Sequence, residues 1–396
     1  MTTEGRAARP ESVRRHNLSL ALRMIIDAAR PVSRADIVAS TGLTRGSVSA
    51  LVDNLVAAGL VTELAPVQAQ RAGRPAVPLV PARGTVAGVG LEVNVDYLGV
   101  RALDLAGRSL VERVEVGDFR GSEPEQVLDR LGRLATRVVE TLFGEGVRVV
   151  GTGLALPGLV DRVTGPLRVA PNLGWRDVDV VGLLAAHPVL RTFPPRLANE
   201  ANLAAGAELH VRRGTPVRSF VYVSGEVGIG GAIVLDGAIF PGRFGWSGEI
   251  GHTVLGTDAG GAGGRRLEEL AGQDALLAQA GLPRQAPVSR LLAAAHEADD
   301  AALESLRIAG NALGVALANV INIVDVGHVV LGGIYARLAP FLEDGIARQC
   351  RARVLSAQWS PVEVSTAAAG DYPAMSGAAL AVLSALADDP AAVLAG

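Results

Sequence analysis

Residues 196–202 read Arg-Leu-Ala-Asn-Glu-Ala-Asn, and they join a short apolar strand to a helix that is predicted to extend to His210. A strand that turns directly into a helix is typical of α/β domains, in which the loops at the strand ends line a cleft. Asn199 and Glu200 stand at this turn, so their side chains are predicted to point into the cleft. A second interpretation of Asn199 stays open, because asparagine is also a preferred helix N-cap.

The segments on either side of this junction repeat the same alternation of strands and helices. Residues 86–93 and 97–105 form a predicted hairpin, and after a long amphipathic helix residues 147–156 form a buried strand. A second lobe repeats the theme from Phe220 onward. The sequence therefore predicts one large α/β domain of two lobes over residues 83–396, with the cleft between the lobes.

The first 82 residues predict a different kind of domain. Ser33 and Asp36 have the spacing of a capping box, and Thr44 precedes a third helix. A strand and a basic loop follow, with a returning strand at 77–80. Three helices and a hairpin predict a winged helix-turn-helix, which a short stiff linker at 78–84 joins to the large domain.

The predicted third helix carries an arginine and short hydroxyl and amide side chains on its outward face. Such side chains suit phosphate contacts and the reading of base edges in the major groove, and arginines at the hairpin tip suit a minor groove. The predicted DNA-binding residues are Arg34, Thr44, Arg45, Ser47, Ser49, Asn54, Arg71 and Arg74. The alternative is a three-helix unit that only mediates protein contacts. Since one such module covers half of a typical site, a homodimer is predicted, and its pairing into tetramers stays open.

The charge distribution indicates an anionic partner for the small domain alone. Residues 1–83 hold 11 arginines and 6 acidic residues, which gives a net charge of +5. The rest of the chain holds 26 basic and 34 acidic residues, or −8, and the two parts sum to −3. A basic small domain beside an acidic large one is the pattern expected when only the first segment contacts a polyanion.

Composition also excludes several classes of protein. Cys350 is the only cysteine, so neither a disulfide framework nor a metal site with several thiolate ligands is available. The mean hydropathy is +0.32, and the most apolar segment, residues 308–324, carries Asn311, Asn319 and Asn322 near one helical face. With no secretory signal layout at the N-terminus, we expect a soluble cytoplasmic protein without membrane contact.

Six short stretches, taken in this order, resemble the ROK family, which comprises bacterial repressors and sugar kinases. They read LPGLVD at 156–161, PNLGW at 171–175, NEAN at 199–202, GIGG at 228–231, GEIGH at 248–252 and SGAA at 376–379. The likeness covers nearly all of residues 85–390, and it implies an actin-like, ribonuclease-H-like domain of two lobes. The N-terminal domain resembles that of the family's repressor branch, of the xylose-operon-repressor type.

The resemblance implies that the cleft binds a sugar. A sugar presents hydroxyls that both donate and accept hydrogen bonds, so its site needs fixed amides, carboxylates and imidazoles. By resemblance, the residues that contact these hydroxyls are Asn172, Asn199, Glu200, Glu249, His252 and Glu269. The residues taken alone leave alternatives: a helix cap for Asn199, surface charges for Glu249 and Glu269, and a core position for His252.

Three departures from the family's kinases argue against catalysis. Where those kinases hold ATP phosphates with an acidic residue and a Gly-Gly-Thr loop, this chain reads Leu-Glu-Val-Asn-Val-Asp at 91–96, without glycines. Val227 stands in place of a threonine in the second glycine loop, and Glu200 stands in place of the catalytic aspartate. The extra methylene moves the carboxylate by roughly 1 Å, and a misplacement of that order costs about 100-fold in rate.

The zinc site of the family is missing as well. Its three cysteines fall at Gly260, Ala262 and Leu267, so no thiolate remains to bind the metal. We therefore expect neither a structural zinc ion nor a cofactor.

These observations favour a repressor of carbohydrate-utilisation genes that a sugar effector releases from operator DNA. Two alternatives remain. One is an ATP-dependent sugar kinase with an appended DNA-binding domain, which sugar-dependent ADP formation would reveal. The other is a regulator whose large domain is only a dimerisation platform, in which case changes in the cleft would leave DNA regulation untouched.

Overall fold

The structure is a computed structural model that describes residues 10–66, 77–162, 165–256 and 264–394. Within these residues, the first domain, residues 10–81, consists of three helices and three short strands, and we call it the head. Its elements are α1 (Pro10–Ile26), β1 (Val32–Ser33), α2 (Arg34–Thr41), α3 (Arg45–Ala57), β2 (Val61–Glu63) and β3 (Pro78–Pro81). The sheet order is β1-β3-β2, with β2 and β3 antiparallel. The predicted winged helix-turn-helix is therefore confirmed.

Local sequence signals set the boundaries of the head's helices. The capping box of Ser33 and Asp36 starts α2, and Gly42 ends it in the left-handed conformation. The hydroxyl of Thr44 starts α3 by accepting a hydrogen bond from the amide of Ser47 at 3.1 Å. The linker is shorter than predicted, because residues 78–81 are strand β3 and pair with β2.

The first lobe is a five-stranded mixed sheet with helices on it. Its elements are β4 (Val86–Val93), β5 (Tyr97–Asp104), β6 (Ser109–Val116), α4 (Pro124–Gly144), β7 (Arg148–Leu156), β8 (Leu159–Val160), β9 (Leu167–Ala170), β10 (Trp175–Val178), α5 (Val180–Leu184), α6 (Pro188–Thr192), β11 (Arg196–Asn199) and α7 (Glu200–Val211). The main sheet has the order β11-β7-β4-β5-β6, with β4, β5 and β6 antiparallel and β7 and β11 parallel to β4. The predicted junction is present, since β11 ends at Asn199 and α7 begins at Glu200.

The second lobe repeats this layout. Its elements are β12 (Phe220–Gly225), β13 (Ile229–Leu235), β14 (Ala238–Ile239), a 3-10 turn (Ile250–His252), β15 (Val254–Leu255), β16 (Arg265–Arg266), α8 (Glu268–Ala271), α9 (Gln273–Gln279), α10 (Val288–His296), α11 (Asp300–Val324), β17 (His328–Gly333), α12 (Ile334–Arg353), β18 (Glu363–Thr366), α13 (Pro373–Asp388) and α14 (Ala391–Leu394). Its sheet has the order β14-β13-β12-β17-β18, again three antiparallel strands followed by two parallel ones. Two sheets with the same layout form the two lobes that the sequence predicts.

Helix α13 returns to the first lobe, where it lies across β4, β5 and β7 and beside α7. Two glycines allow this close approach. A Cβ atom at Gly90 would overlap the carbonyl of Met375, and a Cβ atom at Gly377 would overlap the carbonyl of Leu203 on α7. The backbones of α7 and α13 are thus in contact, and neither helix can move far without the other.

The hydrophobic core of the head continues into the large domain. Leu18, Leu22 and Ile25 of α1 belong to one cluster with Leu383 and Leu386 of α13. Burial of such side chains contributes about 1.5–3 kcal/mol each. The head is therefore fixed to the large domain chiefly through α13.

Ion pairs border this apolar contact. Arg23 on α1 pairs with Asp388 at 2.6 Å, and Arg15 pairs with Asp389. On the other side, Asp27 pairs at 3.3 Å with Arg213, which follows α7. The head thus contacts both α13 and the C-terminal end of α7.

Within the described part of the chain, α11 is the one helix long and apolar enough to cross a membrane. Half of that stretch is buried inside the protein, and the helix packs along α12. Asn311 accepts a hydrogen bond from Gln349, and Asn322 donates one to the carbonyl of Arg353, both at 3.0 Å. These amides are therefore bonded to α12.

Candidate effector cleft and nucleic-acid interface

A cavity between the lobes, called the cleft below, collects most of the predicted sugar-binding side chains. It has a volume of about 60 Å³. Its polar lining comes from Asn172, Asn199, Glu200, Glu249, His252 and Glu268. Five of the six predicted residues are thus brought together from separate segments: the loop after β9, the β11–α7 junction and the 3-10 turn.

Asn199 combines two roles in the cleft wall. Its side-chain oxygen accepts hydrogen bonds from the amides of Ala201 at 2.9 Å and Asn202 at 3.2 Å, so it is the N-cap of α7. Its side-chain nitrogen donates to the carbonyl of Gly158 at 3.0 Å. The helix-cap interpretation is therefore correct, and the same bonds hold the amide rigidly at the edge of the cleft.

Glu249 precedes the 3-10 turn of the second lobe, and His252 is its last residue. Burial raises the pKa of the Glu249 carboxyl, while His252 lowers it and Glu268 raises it by smaller amounts. His252 is exposed, so a core position for this histidine is excluded. Together the two side chains offer a ligand both hydrogen-bond acceptors and a donor.

Glu268, rather than the predicted Glu269, lies in the cleft wall. Its Oε2 accepts a long hydrogen bond, 3.4 Å, from the amide of Ile229. Glu269 is exposed and accepts a hydrogen bond from the amide of Arg266 at 3.2 Å. Because neighbours on a helix point about 100° apart, only one of the two can face the cleft.

A smaller cavity adjoins the cleft and is lined by the carboxyl groups of Glu92, Glu200 and Glu226; we call it the carboxyl pocket. Burial, together with the charge of Glu226, raises the pKa of Glu92 to about 8. Burial also raises the pKa of Glu226, and it raises the pKa of Glu200 well above its usual range. With a pKa of about 8, the Glu92 carboxyl is protonated at neutral pH, so it donates as well as accepts hydrogen bonds.

The carboxyl pocket lies where the resemblance places the phosphate loops of the kinases. The side-chain nitrogen of Asn94 donates to Glu226 Oε2 at 2.5 Å, which closes the two loops on each other. The hydroxyl of Tyr97 donates to Glu92 Oε1 at 2.6 Å, and the amide of Met375 donates to its other oxygen at 3.0 Å. Sequence reasoning noted the missing glycines but missed this grouping. An acidic residue inside the apolar strand 86–93 was the available signal.

The predicted DNA-binding residues of α3 divide into an exposed and a half-buried set. Arg45 and Ser47 are exposed, whereas Ser49 and Asn54 are half-buried. Thr44 is exposed as the N-cap, and its hydroxyl lies 2.9 Å from that of Ser47. Arg45 forms no ion pair with any described residue, so its guanidinium is available to an outside anion.

Four further positions complete the account of the head. Arg34 pairs with Asp53 at 2.6 Å and with Glu63, so it ties α2 to α3 and to β2. The predicted Arg71 and Arg74 lie outside the described residues. Ala50, which sequence reasoning missed, is exposed on α3, and its methyl group is of the size that packs against a thymine methyl.

Family models match both parts of the chain. The model described as ROK family matches residues 90–385, and the model described as MarR family matches residues 19–72. These matches fall on the two-lobed domain and on the head, respectively.

Named relatives include both a regulator and an enzyme. The chain is 27% identical over 350 residues to a protein of Bacillus spizizenii named xylose repressor, covering 86% of this chain and 88% of that one. It is 30% identical over 310 residues to the kanosamine kinase of Amycolatopsis mediterranei, covering 74% and 98%.

One solved structure matches the head and both lobes together. It is described as a ROK family transcriptional regulator, a homologue of the E. coli MLC protein, with a TM-score of 0.79 and 24% identity. The match covers 97% of this chain and all of that one. At this level of identity it establishes the fold, which is the predicted winged helix-turn-helix followed by the two-lobed domain.

Proposed function

The chain belongs to the ROK family, and we propose that it is a sugar-responsive transcriptional repressor that binds operator DNA. The observation that carries this proposal is the connection between the cleft and the head. Helix α7 begins in the cleft wall at Glu200, contacts α13 through its backbone, and ends beside Arg213, which pairs with the head. A ligand in the cleft therefore acts on the helices that hold the head.

The chemistry of the cleft favours an uncharged sugar. Its carboxyls and amides accept and donate hydrogen bonds, and Glu200 and Glu249 are both held toward their neutral forms by burial. A hydrogen bond to a neutral carboxyl contributes about 0.5–1.5 kcal/mol, so several such contacts together select a polyol of one shape. The proposed sugar ligands are Asn172, Asn199, Glu200, Glu249 and His252, with Glu268 in place of Glu269.

The small volume of the cleft suggests how sugar binding is coupled to the position of the head. Its 60 Å³ is well below the 300–1,000 Å³ typical of small-molecule sites. Two hydrogen bonds hold the lobes together beside it: the amide of Arg162 donates to the carbonyl of Phe244 at 3.0 Å, and the indole of Trp246 to the carbonyl of Val160 at 3.2 Å. Binding of a sugar therefore requires the lobes to move, and α7 with α13 transmits that movement to the head.

The carboxyl pocket argues against the second candidate, a sugar kinase, although the kanosamine kinase relative favours it. Kinases of the family also have an acidic residue in the first loop and an aspartate at the position of Glu200, so the additional group here is Glu226, which repels ATP when it ionises. We propose that this chain does not transfer phosphate. The test is ADP formation from ATP across a panel of sugars. ADP formation that depends on a sugar would contradict this proposal and support the kinase function.

We propose a homodimer as the active form, since one head reads half of a symmetric site. An exposed apolar group at the ends of α11 and α12 is the proposed contact with the second copy. Ile323, Leu355 and Trp359 are 83%, 85% and 76% exposed, and the amide of Leu355 is bonded to Asn322 at 2.9 Å. Sedimentation equilibrium of the full chain tests this assembly, and a monomer at operator-binding concentrations would exclude it. We place the protein in the cytoplasm, where its operator is.

The deciding experiment is fluorescence anisotropy of the full chain on DNA from its own upstream region, titrated with a panel of sugars. We expect salt-sensitive binding that one sugar weakens. Arg45→Ala should reduce DNA affinity by about 1 kcal/mol and lower the salt slope by about 1, because it removes one phosphate contact. The cleft variant Glu249→Gln should bind DNA normally and respond poorly to the sugar. Absence of specific DNA binding would overturn the proposal.

The platform alternative predicts a different pattern. If the large domain only dimerises, Glu200→Ala combined with His252→Ala leaves both DNA binding and its regulation unchanged. Under our proposal the same double variant binds DNA but no longer responds to sugar.

A further inference from the structure

A cavity of about 430 Å³ lies where the head meets the large domain, and its lining runs from the first turn of α7 to the residues that follow this helix. We call it the junction cavity. Helices α1, α7 and α13 form its walls, together with the residues that follow α7. Its volume falls within the 300–1,000 Å³ typical of small-molecule sites.

The lining of the junction cavity is basic. Its charged residues are four arginines, Arg23, Arg212, Arg213 and Arg218, and a single acidic residue, Asp27. His210 also lines the cavity, but burial lowers its pKa to about 4, so the imidazole is neutral at pH 7. An excess of guanidinium groups in a partly enclosed space favours an anionic ligand.

Two of the arginines are fully engaged within the protein. Arg23 donates to Asp388 and to Ser384 of α13. Arg212 donates to the buried Glu208 at 2.6 Å and to Ser365 at 3.1 Å. These two side chains therefore act as walls of the cavity.

The other two arginines retain most of their donors. Among the described residues, Arg213 has only Asp27 as a partner, at 3.3 Å, and a third of its side chain is exposed. Arg218 donates only to the carbonyl of Asp236, at 3.2 Å. Each guanidinium carries five N–H donors in a fork that matches two phosphate oxygens.

We propose that the junction cavity binds a small phosphorylated metabolite, with Arg213 and Arg218 on the phosphate. The phosphate competes with Asp27 for Arg213. Since the Asp27–Arg213 pair joins α1 to the end of α7, the ligand loosens the head on that side. The site is separate from the sugar cleft and gives the protein a second input.

The test is calorimetric titration of the full chain with glycerol 3-phosphate, inorganic phosphate and glycerol. We expect saturable binding of glycerol 3-phosphate and of phosphate, and no binding of glycerol. Arg213→Gln combined with Arg218→Gln should weaken the binding of glycerol 3-phosphate by about 10-fold. Unchanged binding in the double variant, or no saturable binding to the native chain, would overturn the proposal.

Two further variants separate this site from its surroundings. Asp27→Asn removes the competing carboxylate, so it should tighten the binding of glycerol 3-phosphate by several-fold; weaker binding would contradict the competition. Glu268→Gln in the cleft should leave the binding of glycerol 3-phosphate unchanged. A loss of binding in this variant as large as that in the double arginine variant would place the phosphate in the cleft instead. Hydrogen exchange at the last turn of α1 should quicken when glycerol 3-phosphate is added, and unchanged exchange would exclude release of the head.

Discussion

The two ends of helix α7 face opposite surroundings. At its N-terminal end, Glu200 joins a group of carboxyls around a cavity of about 60 Å³; at its C-terminal end, Arg213 and its neighbours surround a cavity of about 430 Å³. The helix has 12 residues, so about 18 Å separates the two ends. Under our two proposals, this one helix serves two kinds of ligand, a neutral polyol at its N-terminal end and an anion at its C-terminal end.

The largest expected effect comes from disrupting the backbone contact between α7 and α13. Gly377→Val places a side chain against the carbonyl of Leu203 and forces α13 away from α7, so it should lower the free energy of unfolding by about 3 kcal/mol. Urea unfolding measures this loss. The control is Gly206→Ala on α7, where a Cβ meets no atom within 4 Å and should stabilise the helix by about 0.5–1 kcal/mol. A native midpoint for Gly377→Val would show that the helices are not in forced contact.

Two neighbouring glutamates, Glu268 and Glu269, test sugar binding in the cleft at the N-terminal end of α7. Glu268→Gln should weaken the binding of the effector sugar by about 10- to 100-fold, because a hydrogen bond to a charged group contributes about 1.5–3 kcal/mol. Glu269→Gln, which changes an exposed residue one position away, should leave it unchanged. Isothermal titration with the sugar found in the anisotropy screen measures both. The reverse result would restore the sequence-based assignment of Glu269.

A smaller effect is expected in the pH dependence of stability, and it comes from Glu92 in the carboxyl pocket at the N-terminal end of α7. Folded protein keeps the proton on Glu92 up to about pH 8, whereas the unfolded chain loses it near the ordinary value of 4.5. The free energy of unfolding should therefore fall as pH rises between these values, by about 1 kcal/mol per pH unit from this carboxyl. Glu92→Gln should flatten the slope measured by urea unfolding at pH 5.5, 6.5 and 7.5, while Glu269→Gln should keep it. An equal slope in Glu92→Gln would mean that the carboxyl is already ionised in the folded state.

Features that depend on a few neighbouring residues were predictable from the sequence. The β11–α7 junction, the capping box at Ser33 and the cap at Thr44 are local, and the structure has each of them. The winged head and the two-lobed domain follow from such signals taken in order. The sequence motif placed a glutamate near the cleft but did not show which of two adjacent glutamates faces it. That depends on the rotation of the short helix α8 about its axis, which brings Glu268 rather than Glu269 to the cleft.

Features that depend on distant segments were not predictable. Glu92 and Glu226 are 134 positions apart in the sequence, and only the packed sheets bring them beside Glu200. The junction cavity likewise joins α1 to α7 and α13, so no single stretch of sequence signals it. Long-range electrostatics of this kind follows from topology rather than from motifs.

Because α1 and α13 share one hydrophobic cluster, we expect the head and the first lobe to unfold as a single cooperative unit. Calorimetry should accordingly record one melting transition for both parts. A head transplanted onto another domain should fold only if it carries a copy of α13, so the exchangeable module of this protein is larger than the head.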